Sequence, residues 1–177
     1  MEPEPRSTDE RFSLMTEEER ADWLIPSGVF IVTLQSGQKV NAYTAAWVVR
    51  VSEDPVMIQV AVWDQNYSHT LAQDCEHFVV HILAEGQQNL ALQFGRRSGR
   101  DVDKLQGHAT HPGTSGIPIL NDCLAYLECE VVFRHQFGDH MVLVGRVINS
   151  RVNDKTKSPL IYDHRDYSEP GIDIDEN

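Results

Sequence analysis

Long apolar runs are absent from this chain of 177 residues, and so is any excess of positive charge. A helical membrane span needs about 20 consecutive apolar residues. No segment approaches that length, and no leading segment resembles a signal peptide, so neither a membrane nor an export route is expected. Lysine and arginine number 15 against 27 acidic residues, a formal net charge of −12. That balance repels phosphate backbones and anionic lipid, which argues against nucleic acid and membrane partners. Cysteine is scarce too. Cys75, Cys123 and Cys129 are an odd number, which fits free thiols in a reducing cytoplasm better than a disulfide framework. Asn66-Tyr67-Ser68 matches a glycosylation acceptor that a cytoplasmic chain would not use.

Several motifs are missing as well. No Gly-x-Gly-x-x-Gly follows a strand-like segment, which sets a Rossmann sheet aside. Gly113-Thr114-Ser115-Gly116 is one residue short of a hydrolase nucleophile elbow. His108-x-x-His111 lacks the close cysteine pair that would complete a zinc tetrad, so no metal site is expected.

The charge that is present sits at the ends. Residues 1–22 hold eight acids and three bases, and residues 163–177 hold six acids and one base. Each end therefore carries −5 and the intervening body is nearly neutral. This divides the chain into a disordered acidic tail over 1–15, one domain over 16–167 and an acidic tail over 168–177. A solvated tail is favoured over an acidic docking arm.

Within the domain, Thr16 and Glu19 form a capping-box pattern for a short helix ending before Pro26. Strands are expected over 29–34 and 40–51, around a polar turn at 35–38, then over 56–62 and 77–83. Alternation is clearest over 125–134, with Ala125, Leu127, Cys129, Val131 and Phe133 on one side and Glu128, Glu130 and Arg134 on the other. Further strands are expected over 141–148 and 159–162, and helices over 70–74 and 87–94. Residues 95–104 and 107–118 read as loops. Many short strands with small helices between them indicate a mainly antiparallel barrel.

The most informative stretch is VNAYTAAWVVRVSEDP, from Val40. Small residues before Trp47 let a flat group approach the backbone, and Asn41 and Thr44 add polar anchors, as a heterocyclic cofactor requires. The same row also fits a strand at a close sheet contact. Ser68-His69-Thr70 opens a helix and offers hydroxyls and free N–H groups to an anion, or Ser68 is a plain N-cap. Arg96, Arg97, Arg100 and Lys104 gather in nine residues and suit a phosphate, unless Asp101 and Asp103 pair with them. His140, after a tight turn, can present its ring to a pocket or simply remain structural.

VNAYTAAWVVRVSEDP, the Asn-x-Ser-x-Thr loop at 66–70, FGRRSGRDVDKL from Phe94, AYLECEV from Ala125, GDHMVLVGRV from Gly138 and PLIY from Pro159 follow one another in order. In that order and spacing they resemble the flavin reductase-like family with the FMN-binding split-barrel fold. The resemblance runs from about Gly28 to Tyr167. It implies a six-stranded antiparallel split β-barrel with small peripheral helices, a homodimer, and FMN (or FAD) near the subunit interface. It also implies hydride transfer from NADH or NADPH to flavin. The electrons would pass on to a free flavin, a metal chelate, a partner oxygenase or an electron-transfer protein.

By position, Asn41, Thr44, Ala45, Ala46 and Trp47 would line the ring and ribityl chain, and Ser52 the ring's edge. Ser68 and Thr70 would lie near the phosphate, with Lys104 and Arg100 as basic contacts. His140 would be the catalytic imidazole on the nicotinamide side. Three departures from the family pattern stand out: Ala42 and Tyr43 follow Asn41, Ala46 replaces a serine, and His81 replaces an asparagine. Backbone amides make much of the ring contact, so FMN binding is expected to survive them. The competing readings are an FMN electron carrier reduced by a protein donor, and a scaffold without turnover.

Overall fold

The computed structural model describes residues 24–163. Both acidic tails and most of the helix expected after Thr16 lie outside them. In chain order the elements are β1 (Phe30–Ser36), β2 (Lys39–Ala45), β3 (Val48–Glu53), β4 (Val56–Trp63), α1 (Tyr67–Ala72), β5 (His77–Ile82), α2 (Gln88–Gly95), β6 (Thr110–Pro112), β7 (Pro118–Leu120), β8 (Ala125–Phe137) and β9 (His140–Val152).

Seven strands form one antiparallel sheet in the order β2-β1-β5-β8-β9-β4-β3. Its two outermost strands, β2 and β3, are separated in the chain only by Ala46 and Trp47. The sheet must therefore curl until its edges meet, and it becomes a barrel. At the seam the Ala61 N–H donates to the Trp47 carbonyl at 3.1 Å, and the Tyr43 hydroxyl donates to the Ala61 carbonyl at 3.4 Å. The mainly β, antiparallel split barrel read from the sequence is the architecture observed. It has seven strands rather than six, because the segment 40–51 breaks at Ala46-Trp47 instead of running as one strand.

Alternation fills the interior. Val32 and Leu34 of β1, Tyr43 and Ala45 of β2, Ile58, Val60 and Val62 of β4, Phe78 and Val80 of β5, Cys129 of β8 and Leu143 of β9 pack together. Burying a side chain such as Phe78 contributes roughly 1.5–3 kcal/mol. A Cβ on Gly145 would sit 2.6 Å from the Phe78 ring and 2.7 Å from the Cys129 Cβ, so only glycine admits both there. Outside the wall, α2 presses Ala91 and Phe94 onto Val29, Ile31, Ala42 and Leu83. At the end of α1, the Arg134 guanidinium donates to the carbonyls of Ala72, Gln73 and Cys75.

Four local expectations need correction. Helix α1 starts at Tyr67, with Asn66 as its N-cap, so Ser68 lies inside the helix and is not its cap. The 107–118 loop contains the hairpin β6–β7, packed over Val79 and Tyr126 through Ile117 and Ile119. Residues 159–162 form isolated bridges, Ala84 to Pro159 and Gly28 to Ile161, and no strand. The one-sided alternation over 125–134 is interrupted by register shifts at Glu128/Cys129 and Val131/Phe133. Cys129 is consequently in the core while Phe133 is exposed.

Candidate functional site

The break between β2 and β3 opens a cleft of about 170 Å³ lined by Tyr43, Thr44, Ala45, Ala46, Trp47, Ala61, Trp63, Asn66 and His140. Ala46 and Ala61 offer nothing beyond a methyl group, so the backbone of the break can be approached closely. Ala45 borders the cleft, but it is buried with Tyr43 in the barrel core. Its small size thus serves the core as well. The Thr44 hydroxyl donates to the Ala91 carbonyl of α2 at 2.5 Å, which commits its proton to the helix. His140 closes one end. Its ring lies 4.5 Å from the Trp47 ring, tilted by 34°, and its Nδ1 is 2.7 Å from Asp139 Oδ1.

A second cleft, of about 270 Å³, begins where the first ends along β2. Its lining is Val40, Asn41 and Ala42 on the strand and residues 99–105 on the loop. Each cleft alone falls below the roughly 300 Å³ at which ligand pockets begin. The buried Asn41 donates from Nδ2 to Ser68 Oγ at 2.8 Å, tying β2 to α1. A Cβ on Gly99 would collide with the Asn41 amide, so this glycine lets the loop close onto the strand. Arg100 reaches across to α1, with its guanidinium carbon 5.8 Å above the Tyr67 ring.

Lys104 donates from Nζ to the Phe94 carbonyl at 2.8 Å, which leaves two of its three N–H groups. Partial burial lowers its pKa to about 8. Among the described residues, neither Asp101 nor Asp103 forms an ion pair with the loop's bases. Asp103 instead accepts the Leu105 N–H at 3.0 Å. Arg100 and Lys104 are therefore not tied up in contact ion pairs, although Asp101 and Asp103 line the same cleft.

The structure thus brings Thr44, Ala45, Ala46, Trp47 and His140 to one cleft, and Asn41, Arg100 and Lys104 to the other. Ser68 meets the second through Asn41. Ser52, opposite Met57 at a register shift in β3, and the exposed Thr70 line neither. Sequence reasoning missed Trp63, Asn66 and Gly99. The proximity of Asn66 to Ser68 was a usable signal, whereas Trp63 reads simply as a strand end. The three cysteines are free and buried, and burial pushes their thiols up to about 11 for Cys75 and Cys123 and about 12 for Cys129. That suits core packing and not nucleophilic chemistry. Among the described residues no cluster suited to a metal ion occurs, and no helix is long and apolar enough to cross a membrane.

The family model described as "Flavin reductase like domain" matches residues 23–171. The NADH-dependent FMN reductase AsuE2 of Streptomyces nodosus subsp. asukaensis is 33% identical over 153 residues, which cover 85% of this chain and 81% of that protein. The diflavin flavoprotein A 1 of Synechocystis sp. (strain ATCC 27184 / PCC 6803 / Kazusa) is 37% identical over 141 residues, 79% of this chain but 25% of that protein. The chain thus spans about a quarter of the diflavin flavoproteins it matches. Among solved structures, the FMN-binding protein from Thermus thermophilus with bound p-hydroxybenzaldehyde superposes with a TM-score of 0.69 at 32% identity, covering 73% of this chain and 74% of that one. With a barrel broken at Ala46-Trp47, two clefts lined by successive stretches of β2 and a family match over all the described residues, this chain belongs to the flavin reductase-like domain family.

Proposed function

We propose that the chain holds FMN along β2, with FAD as the alternative flavin, and transfers hydride to it from NADH or NADPH. The observation that carries this reading is the Ala46-Trp47 break. It exposes backbone over a floor of Ala46 and Ala61, between His140 at one end and the basic loop at the other. The residues fit the cofactor: a flat ring matches a floor of methyl groups, and a phosphate matches Arg100 and Lys104. Bound there, FMN would supply the two-electron chemistry.

The chain's own residues would do the rest. The small side chains of the break admit the ring to the backbone amides. Trp63 and the exposed Trp47 would flank the ring, and His140 would bear on the side from which a nicotinamide approaches. Arg100 and the remaining donors of Lys104 would neutralise the phosphate. The names of the Streptomyces NADH-dependent FMN reductase and the Thermus FMN-binding protein support the same reading.

The proposal includes a homodimer. Val49 and Val51 of β3 and Val132, Phe133 and Phe137 of β8 are exposed, and a second copy would cover such apolar surface. Light scattering at micromolar concentration should return twice the chain mass, and a monomer with bound FMN would remove this part. A cytoplasmic location, and onward transfer to a free flavin, a metal chelate or a partner protein, complete the reading.

One observation favours a second reading. The match to a quarter of the diflavin flavoproteins suits a domain that receives electrons from another protein domain. Anaerobic addition of NADH, then NADPH, to the purified yellow protein separates the two. Bleaching of the flavin absorbance without added protein supports the reductase. A flavin that bleaches only with a protein donor supports the carrier, and a colourless protein that takes up no FMN removes both.

A further inference from the structure

The imidazole of His140 is gripped on two sides. Trp47 lies against the ring at 4.5 Å between centroids, and Asp139 Oδ1 lies 2.7 Å from Nδ1. The turn that carries both residues is itself anchored, because the Asp64 N–H donates to the Asp139 carbonyl at 2.9 Å. His140 also pairs with Phe137 across the hairpin and with Trp63 across β4, so its backbone has little freedom. The side chain of His140 is 22% exposed and lines the cleft.

We propose that Asp139 is a positioning residue for His140, fixing which ring nitrogen the cleft receives. A carboxylate only accepts hydrogen bonds, so the proton between the two residues belongs to Nδ1. The neutral ring is then held as the Nδ1–H tautomer, and Nε2 is left for a ligand in the cleft, as an acceptor when neutral and a donor when protonated. The carboxylate also steadies the ring orientation, which a side chain with one stacking partner does not secure. The functional part of this inference rests on the proposed hydride transfer; the tautomer part does not.

The test compares Asp139→Ala, Asp139→Asn and His140→Ala with the parent, alone and combined. Nitrogen-15 NMR of the histidine rings in the cofactor-free protein reads the tautomer, and stopped-flow anaerobic reduction of bound FMN reads the rate. In the parent, His140 should carry its proton on Nδ1, and in Asp139→Ala it should move largely to Nε2. The same variant should reduce FMN roughly tenfold more slowly, with FMN affinity unchanged. Asparagine retains an acceptor oxygen and should restore both. Combining Asp139→Ala with His140→Ala should cost no more than His140→Ala alone.

A parent ring already protonated on Nε2, or a full additional loss in the double variant, overturns the assignment. So does an Asp139→Ala protein reduced at the parent rate. If neither nicotinamide reduces the parent's flavin, it is the hydride-transfer reading that fails, and the ring tautomer alone decides the role of Asp139.

Discussion

The two clefts along β2 are built by opposite means. At the Ala46-Trp47 break the site consists of what side chains leave out: Ala46 and Ala61 expose backbone, and the Thr44 hydroxyl is already committed to α2. At the 99–105 loop it consists of what side chains bring, namely Arg100 and Lys104, neither of them in an ion pair with Asp101 or Asp103. One end is therefore damaged by adding atoms and the other by removing them. That asymmetry also separates ligands, since riboflavin has the ring of FMN without its phosphate.

The largest effect is expected from adding bulk at the break. Ala46→Phe places an aromatic ring in a cleft of about 170 Å³ that has only methyl groups for a floor. Overpacking costs about 1–3 kcal/mol before any displaced ligand is counted, so FMN affinity should fall about a hundredfold or more. Riboflavin should lose as much, because the insult is to the ring. Fluorescence titration with both flavins, on protein shown by circular dichroism to be folded, measures it. Unchanged affinity would detach the ring from this break altogether.

Deleting charge at the other end should be somewhat milder and selective. A hydrogen bond to a charged group contributes roughly 1.5–3 kcal/mol. Lys104→Ala should weaken FMN by about ten- to a hundredfold and leave riboflavin nearly untouched. The variant also removes the bond to the Phe94 carbonyl, so thermal stability should drop slightly for reasons unrelated to ligand. The difference between the two flavins is the readout that matters. Equal losses for both would move Lys104 from the phosphate to the ring.

The contrast also explains what the sequence made legible. The small-residue run, the basic cluster and the histidine after the turn are each local, and composition over a few residues exposes them. The barrel class was equally legible, since β1, β4 and β5 are short apolar runs set apart by polar turns, and burial alternates along β4. The break at Ala46-Trp47 was hidden, because VVRV after Trp47 continues the apolar pattern without a pause. Only the sheet order, which sets β2 and β3 at opposite edges, reveals it.

Contacts between distant residues were invisible for the same reason. His81 is fully buried, its Nδ1–H donating to the Ile31 carbonyl at 2.9 Å while Nε2 accepts the Leu120 N–H at 3.1 Å. Burial holds its pKa down near 4. No periodicity announces a histidine satisfied by residues 50 and 39 positions away. Glu128 is similar: it reads as one face of an alternating strand, yet it is buried and accepts from the Thr114 N–H at 2.6 Å and Asn149 Nδ2 at 2.7 Å.

A pH titration sharpens the comparison further. Lys104 is protonated below about 8 and neutral above it, so its attraction for phosphate is present at low pH and fades as pH rises through that value. FMN affinity should therefore fall by up to about tenfold between roughly pH 7 and 9, within the contribution assigned to the charged hydrogen bond. Riboflavin affinity should stay flat over the same range, and Lys104→Ala should flatten the FMN curve. A parallel fall for both flavins would assign the titration to the ring and not to the lysine.

The smallest effect tests whether the ring end tolerates deletion. Thr44→Val keeps the shape of the side chain and removes the hydroxyl that donates to the Ala91 carbonyl. The lost bond between β2 and α2 should cost about 0.5–1.5 kcal/mol of stability, read by urea denaturation. FMN affinity should remain within about twofold, because a proton already committed to the helix was never available to the ring. If affinity falls tenfold while stability holds, the Thr44 hydroxyl turns to the ligand when FMN binds. The break would then be specified by a side chain as well as by backbone, and the two clefts would differ less than their lining suggests.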